Sequence, residues 1–179
     1  MSLEIRRVVT GHGAGGKAVV KIDEIAKNIK NNRPGASSCV VWSTSGFPVD
    51  NDGEIDPSTA SIGTTIESGT VFRIVRYEPG VTPRNHRTDS IDYAVVMSGA
   101  IEMELDDGVV VKLKAGDVLV QRGTIHNWAN RGTEPCMVAF VLVSARPVTT
   151  SGSPAMRATC RARSKAAEAA SERPPVMYT

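Results

Sequence analysis

Few side chains in this sequence are equipped for chemistry, and their spacing is uneven. Of three histidines, His86 and His126 lie 40 residues apart, each just after a turn-rich stretch, while His12 sits in a glycine-rich loop as a bystander. Asp92 stands six residues beyond His86, and Asn130 four beyond His126. Taken alone, two histidines at the mouth of a fold can simply hydrogen-bond each other's loops, and Asp92 can cap the turn before it. They can equally carry a site. Arg73, Arg76 and Arg84 offer guanidinium forks that could orient a substrate carboxylate, although arginines alternating along a strand more often face solvent, and Arg122, on the loop that carries His126, could reach across the mouth. Trp128 and Phe140 can line an apolar pocket or belong to ordinary core.

A second candidate is Gly11-His12-Gly13-Ala14-Gly15-Gly16-Lys17, which has the spacing of a phosphate-binding loop. Ala18 stands where a serine or threonine should hold magnesium, and no βαβ repeat surrounds it. The expectation is a flexible turn between extended runs at 6–10 and 17–22.

The elements that must position these residues read as β-structure. Short β-rich runs at 70–77, 92–97, 100–105, 109–113, 118–121 and 136–143 recur at the spacing of an all-β sandwich or barrel. Ile101, Met103 and Leu105 alternate with Glu102 and Glu104, the period of a half-buried strand, and Asp107-Gly108 marks a hairpin. Upstream, Ile22, Ile25, Ala26 and Ile29 suit a short helix or an irregular strand edge, Val40-Val41-Trp42 is a short apolar run, and 43–69 reads as a long draped loop. Downstream of Pro147 the chain turns basic and alanine-rich, with six basic residues against two acidic over 146–179, and reads as a disordered tail or peripheral helix. The division is therefore an N-terminal extension at 1–68, whose strands and loop pack on the barrel, a barrel at 69–145 and a tail at 146–179.

The chain is 179 residues long, 41% hydrophobic and 22% charged, enough for one globular core. A net charge of +2 with three Phe, three Tyr and two Trp argues against a nucleic-acid partner, and no apolar run approaches a membrane span. No signal peptide is evident, and Cys39, Cys136 and Cys160 form neither a disulfide framework nor a metal knuckle, so a cytoplasmic protein with reduced thiols is expected.

Gly80, His86, Asp92 and Gly99 follow one another in a pattern that resembles the first motif of the cupins, and Gly116, Gln121, Gly123, His126 and Asn130 resemble the second, shortened by one. Thr88 stands in place of the family's second histidine, Asp92 in place of its glutamate and Gln121 in place of its proline. The resemblance spans about 69–145 and implies a cupin double-stranded β-helix, a jelly-roll-like antiparallel barrel whose mouth holds a metal or small ligand. It implies His86, Asp92 and His126 as metal ligands for Fe(II), Mn(II) or Zn(II), with the barrel that has lost its metal as the alternative. Asp is one methylene shorter than Glu, so it reaches an ion only if its strand lies closer.

Among cupin activities the expectation is a lyase or isomerase, such as a dehydratase or decarboxylase, acting on an oxygenated organic acid or ketone. His86, Asp92, His126 and Tyr93 would do the chemistry, and Arg73, Arg84, Arg122 and Trp128 would hold substrate. An Fe(II) dioxygenase and a metal-free ligand-binding sensor are the alternatives. The expected partners are a small-molecule substrate and a second copy of the chain, as a homodimer, with no nucleic acid and no membrane.

Overall fold

A computed structural model describes residues 3–149. Within the compact unit Met1–Pro147 the chain forms eleven strands. The first four are β1 (Arg6–His12), β2 (Ala18–Ile25), β3 (Ile29–Arg33) and β4 (Ala36–Ser45). There follow β5 (Gly69–Tyr77), β6 (Ser90–Ser98), β7 (Ala100–Glu104), β8 (Val110–Lys114), β9 (Val118–Arg122), β10 (Asn127–Ala129) and β11 (Cys136–Ser144). All named pairings are antiparallel, and the described residues contain no α-helix, so no helix among them could cross a membrane.

Six strands in the order β3-β4-β5-β11-β6-β9 make one sheet, and β10-β7-β8 make a second. Their facing sides meet in one core, where Val71, Val75, Val138 and Leu142 of the large sheet pack with Ile101, Met103, Leu113 and Trp128. Period-2 alternation does the sorting: along β11, Cys136, Val138, Phe140 and Leu142 are buried while the residues between them are not. Between β7 and β8 the Asp107-Gly108 pair forms the expected hairpin, with φ of 56° and 74° in the left-handed region that Asp tolerates and Gly prefers.

Strands also form ahead of residue 69. Here β3 and β4 extend the large sheet, with β4 paired to β5 from Ala36↔Tyr77 to Ser45↔Gly69. The isoleucines at 22–29 fall in β2 and β3, so the helical option is not taken; Ala26 instead buries beside Leu3 and Ile5 against Cys39 and Ile74 on the outer face. The glycine-rich segment is the tip of the β1–β2 hairpin, with Gly15 and Gly16 at φ of 71° and 74°. Cys136 lies buried in β11 as expected, and Cys39 is a second buried free thiol. The expectations for Cys160 and for most of the 146–179 tail lie outside the described residues.

Arg7 fastens the β1–β2 hairpin to the rest. It is 4% exposed and donates to Asp56 Oδ1 at 2.9 Å, to Asp56 Oδ2 at 2.6 Å and to Glu24 Oε1 at 2.6 Å. This guanidinium holds the Asp56 carboxyl down to about 2. A carboxylate depressed in the folded state stabilises fully above its unfolded value, near 4, and loses that contribution as pH falls through about 2. Arg7→Met leaves Asp56 with only the Ser58 N–H and no cationic partner, and is expected to cost roughly 3 kcal/mol at neutral pH. Urea unfolding should show the gap between wild type and variant shrinking from pH 6 to pH 2.5, and a gap that does not change with pH would contradict this role.

Candidate functional site

Strand register places the site residues in rows across the interior of the large sheet. One row runs Val71, Leu142, Asp92, Gln121, and the next runs Val40, Arg73, Phe140, Ala94, Leu119. Asp92 is buried because it shares its face of β6 with Ser90, Ala94 and Val96. Its carboxyl accepts hydrogen bonds from the hydroxyls of Ser90 and Thr88, the latter at 3.4 Å.

The two histidines arrive from different loops and lock together. The His86 N–H donates to the His126 carbonyl at 3.1 Å, and the His126 N–H returns the bond to His86 at 3.0 Å. That reciprocal pair, an isolated β-bridge, leaves the ring centroids 4.5 Å apart. Nδ1 of His86 lies 3.0 Å from the Arg84 carbonyl, and Nδ1 of His126 lies 3.0 Å from the Thr124 carbonyl. Each ring is thereby oriented through Nδ1, leaving Nε2 as the atom free of these bonds. Gln121 Nε2 donates to the Thr124 carbonyl at 2.8 Å and stands 3.1 Å from His126 Nδ1, so the residue in the proline's place braces the histidine loop.

Two asparagines hold the frame. Asn127, 2% exposed, accepts from the Arg84 N–H at 2.8 Å and donates to Glu104 at 2.7 Å, tying the His86 loop to β7. Asn130 donates to the carbonyls of Tyr77 and Glu134 and accepts from the Gly132 N–H, fixing the turn into β11.

Burial sets the charge state of the site. It pushes His86 down to about 4, helped by His126 and partly opposed by the Arg84 carbonyl, and lowers His126 as well. Asp92 moves up, because desolvation outweighs the Ser90 and Thr88 hydroxyls. The barrel thus favours two neutral imidazoles beside a carboxyl that holds its proton more tightly than usual.

Other expected site residues scatter. Trp128 is buried, its ring 5.9 Å from His126, 5.5 Å from Phe140 and 6.2 Å from Tyr77, so it walls the interior. Arg73 faces inward beside Phe140, and its Nη2 donates to the carbonyls of Gly63 and Thr64 at 2.9 and 2.8 Å. Arg84 has an exposed side chain yet acts electrostatically on both histidines. Tyr93 and Arg122 are corrected: β6 turns Tyr93 to the outer face, half-exposed, because its neighbour Asp92 points in, and Arg122 is exposed at the end of β9. The inward tyrosine is Tyr77, and Arg33 lies against it with its guanidinium carbon 5.9 Å from the ring centroid. Tyr77 was readable from its period-2 relation to Val71, Arg73 and Val75; Arg33, before the Pro34-Gly35 turn, carries no local signal.

The expected three-ligand metal centre is not assembled. The donor chemistry of the histidines suits a divalent ion, since both are neutral and oriented through Nδ1. Among the described residues, however, no three His, Cys, Asp or Glu side chains come together as a group that could hold an ion. Asp92 has the shorter reach, and Ser90 and Thr88 engage both its oxygens.

The Cupin domain family model matches residues 73–143. The cupin-domain-containing oxidoreductase fogC of Aspergillus ruber is 34% identical over 153 residues, covering 82% of this chain and 75% of the relative. Phomopsin biosynthesis cluster protein C' of Diaporthe leptostromiformis is 36% identical over 156 residues, covering 82% of each. Among solved structures, an RmlC-like cupin from Shewanella frigidimarina aligns with a TM-score of 0.44 at 14% identity, over 66% of this chain and 85% of that one.

Asn127→Ala removes the acceptor of the Arg84 N–H and the donor to Glu104, and so frees the His86 loop from β7. It is expected to cost about 2 kcal/mol in urea unfolding. Amide hydrogen exchange should rise at residues 84–88 while the β5–β11 pairing stays protected, and uniform change across the sheet would show that Asn127 is ordinary core.

Proposed function

The chain belongs to the cupin superfamily, and from that membership we propose an enzyme that acts inside the barrel on a small oxygenated organic acid or ketone, as a lyase or isomerase of the dehydratase or decarboxylase kind. The observation that supports this reading is the paired His86 and His126 rings, 4.5 Å apart between centroids and lowered by burial, in a barrel that also buries the carboxyl of Asp92. Groups whose environments favour the neutral base and the protonated acid are suited to opposite roles in one proton-transfer reaction.

In the dehydratase form of this reading, Nε2 of one imidazole takes a proton from the carbon next to the substrate carbonyl. The C–O bond at the following carbon breaks as Asp92 delivers its proton to the departing hydroxyl, leaving water and a conjugated product. The imidazolium then releases its proton to solvent and the Asp92 carboxylate regains one, which restores both groups.

A second reading has its own support. Relatives including those of Aspergillus ruber and Hypocrea virens carry the name cupin-domain-containing oxidoreductase, which favours redox chemistry, for which the reading is an Fe(II) dioxygenase. A barrel that binds its ligand without converting it is the third.

Two measurements separate these. With β-hydroxy acids and β-hydroxy ketones as substrates and conjugated product read by ultraviolet absorbance, turnover is expected to persist under strict exclusion of oxygen. Oxygen uptake in step with product would instead establish the oxygenase. His126→Ala and Asp92→Asn should each lower kcat by about a hundredfold or more while circular dichroism stays unchanged. Binding without turnover in the wild type would leave only the ligand-binding reading.

A further inference from the structure

We propose that two copies of the chain pack face to face through the outer surface of β6 and β9, as a two-fold dimer in which the facing strands run in opposite directions. This interface is independent of the chemistry inside the barrel.

Strand register lays out this surface. The residues that alternate with the buried row of β6 point to the outside of the large sheet, where Tyr93 pairs with Val120, Val95 pairs with Val118, and Met97 continues the line. The same rows run on to β11, through Val141 opposite Tyr93 and Ala139 opposite Val95. From β11 across β5 to β4 the chain covers its own outer face: Leu3, Ile5 and Ala26 bury with Cys39 and Ile74, and Met137 and Ala139 pack against that cluster. The cover stops there. Tyr93, Val95, Met97, Val118 and Val120 are between 44% and 74% exposed, and the most exposed of them, Val118, lies on the edge strand β9.

Charge and size select a second copy as the occupant. Five neighbouring apolar side chains make a patch of a few hundred Å², the size at which bare patches on monomers mark a partner. Tyr and Met at the centre, with no Lys, Glu or Asp among them, match the composition of an interface core. Charge lies only at the two ends of β9. Arg122 is exposed at the C-terminal end, while Asp117, part-exposed just before the N-terminal end, accepts the Lys114 N–H at 2.9 Å. Neither forms an ion pair among the described residues. A two-fold axis running across the strands sets the Arg122 end of each face over the Asp117 end of the other, and the apolar centres meet. An axis along the strands would bring Arg122 against Arg122. Two such faces with their rims approach the roughly 1,200 Å² of total surface that a stable interface buries.

Sedimentation equilibrium on the full chain should find a species of twice the chain's mass that dissociates on dilution. Val118→Asp combined with Val120→Asp should weaken this dimer about a hundredfold or more with circular dichroism unchanged, because each copy then buries two unpaired carboxylates. Val20→Asp, at an exposed valine of the β1–β2 hairpin, should leave it intact. Arg122→Asp should weaken it about tenfold. Hydroxyl-radical footprinting needs no substitution: Tyr93 and Met97 should be protected in concentrated protein and become reactive on dilution. A wild type that stays monomeric, or a dimer that survives the Val118 and Val120 changes, would overturn the proposal. Protection of Tyr93 and Met97 that persists at every dilution would overturn it by assigning the cover to residues 150–179 of the same chain. Equal loss with Val20→Asp would move the interface to the hairpin, and indifference to Arg122→Asp would overturn the opposed-strand orientation.

Discussion

Two backbone hydrogen bonds between His86 and His126 are the constraint on which the site depends. They join loops 40 residues apart in sequence and press two imidazoles to within 4.5 Å between centroids. Satisfying both backbone pairs lets these loops sit over an apolar interior without stranding polar groups. The same closure desolvates the rings. Their neutrality follows from the loop geometry, and the frame of Asn127, Asn130 and Gln121 keeps that geometry in place.

The barrel strands were legible because period-2 alternation and turn chemistry agree along them. The run at 70–77 is β5 to within one residue, and Asp107-Gly108 marks its hairpin because few residue pairs adopt two consecutive positive φ values. Short or irregular elements were harder. β10 is a three-residue strand held by its pairing to β7, which no local pattern announces. The isoleucines at 22–29 fit helical spacing by coincidence; tertiary packing of Ala26 on the outer face decides their fate.

Site residues divided along the same line. His86, Asp92 and His126 were visible through motif spacing, but spacing does not fix how far a carboxylate extends. The substitution of Asp for Glu, together with Ser90 and Thr88, turns that side chain into a hydrogen-bonded acid. Tyr93 faces outward because adjacent strand residues face opposite ways, a rule that follows directly once Asp92 is placed inside. Arg33 was invisible because its position depends on β3 joining the sheet through β4.

These placements sort the interior by chemistry. Asp92 sits on β6 and the two imidazoles on separate loops, whereas the guanidinium N–H groups of Arg33 and Arg73 that find no acceptor among the described residues come from β3 and β5. Trp128 stacks on Tyr77 and meets His126 edge-on. Burial then acts on acid and base in opposite senses, lowering both imidazoles and raising the Asp92 carboxyl, so each group resists charge for the same reason: closing the loops over an apolar interior removes the water that would solvate it.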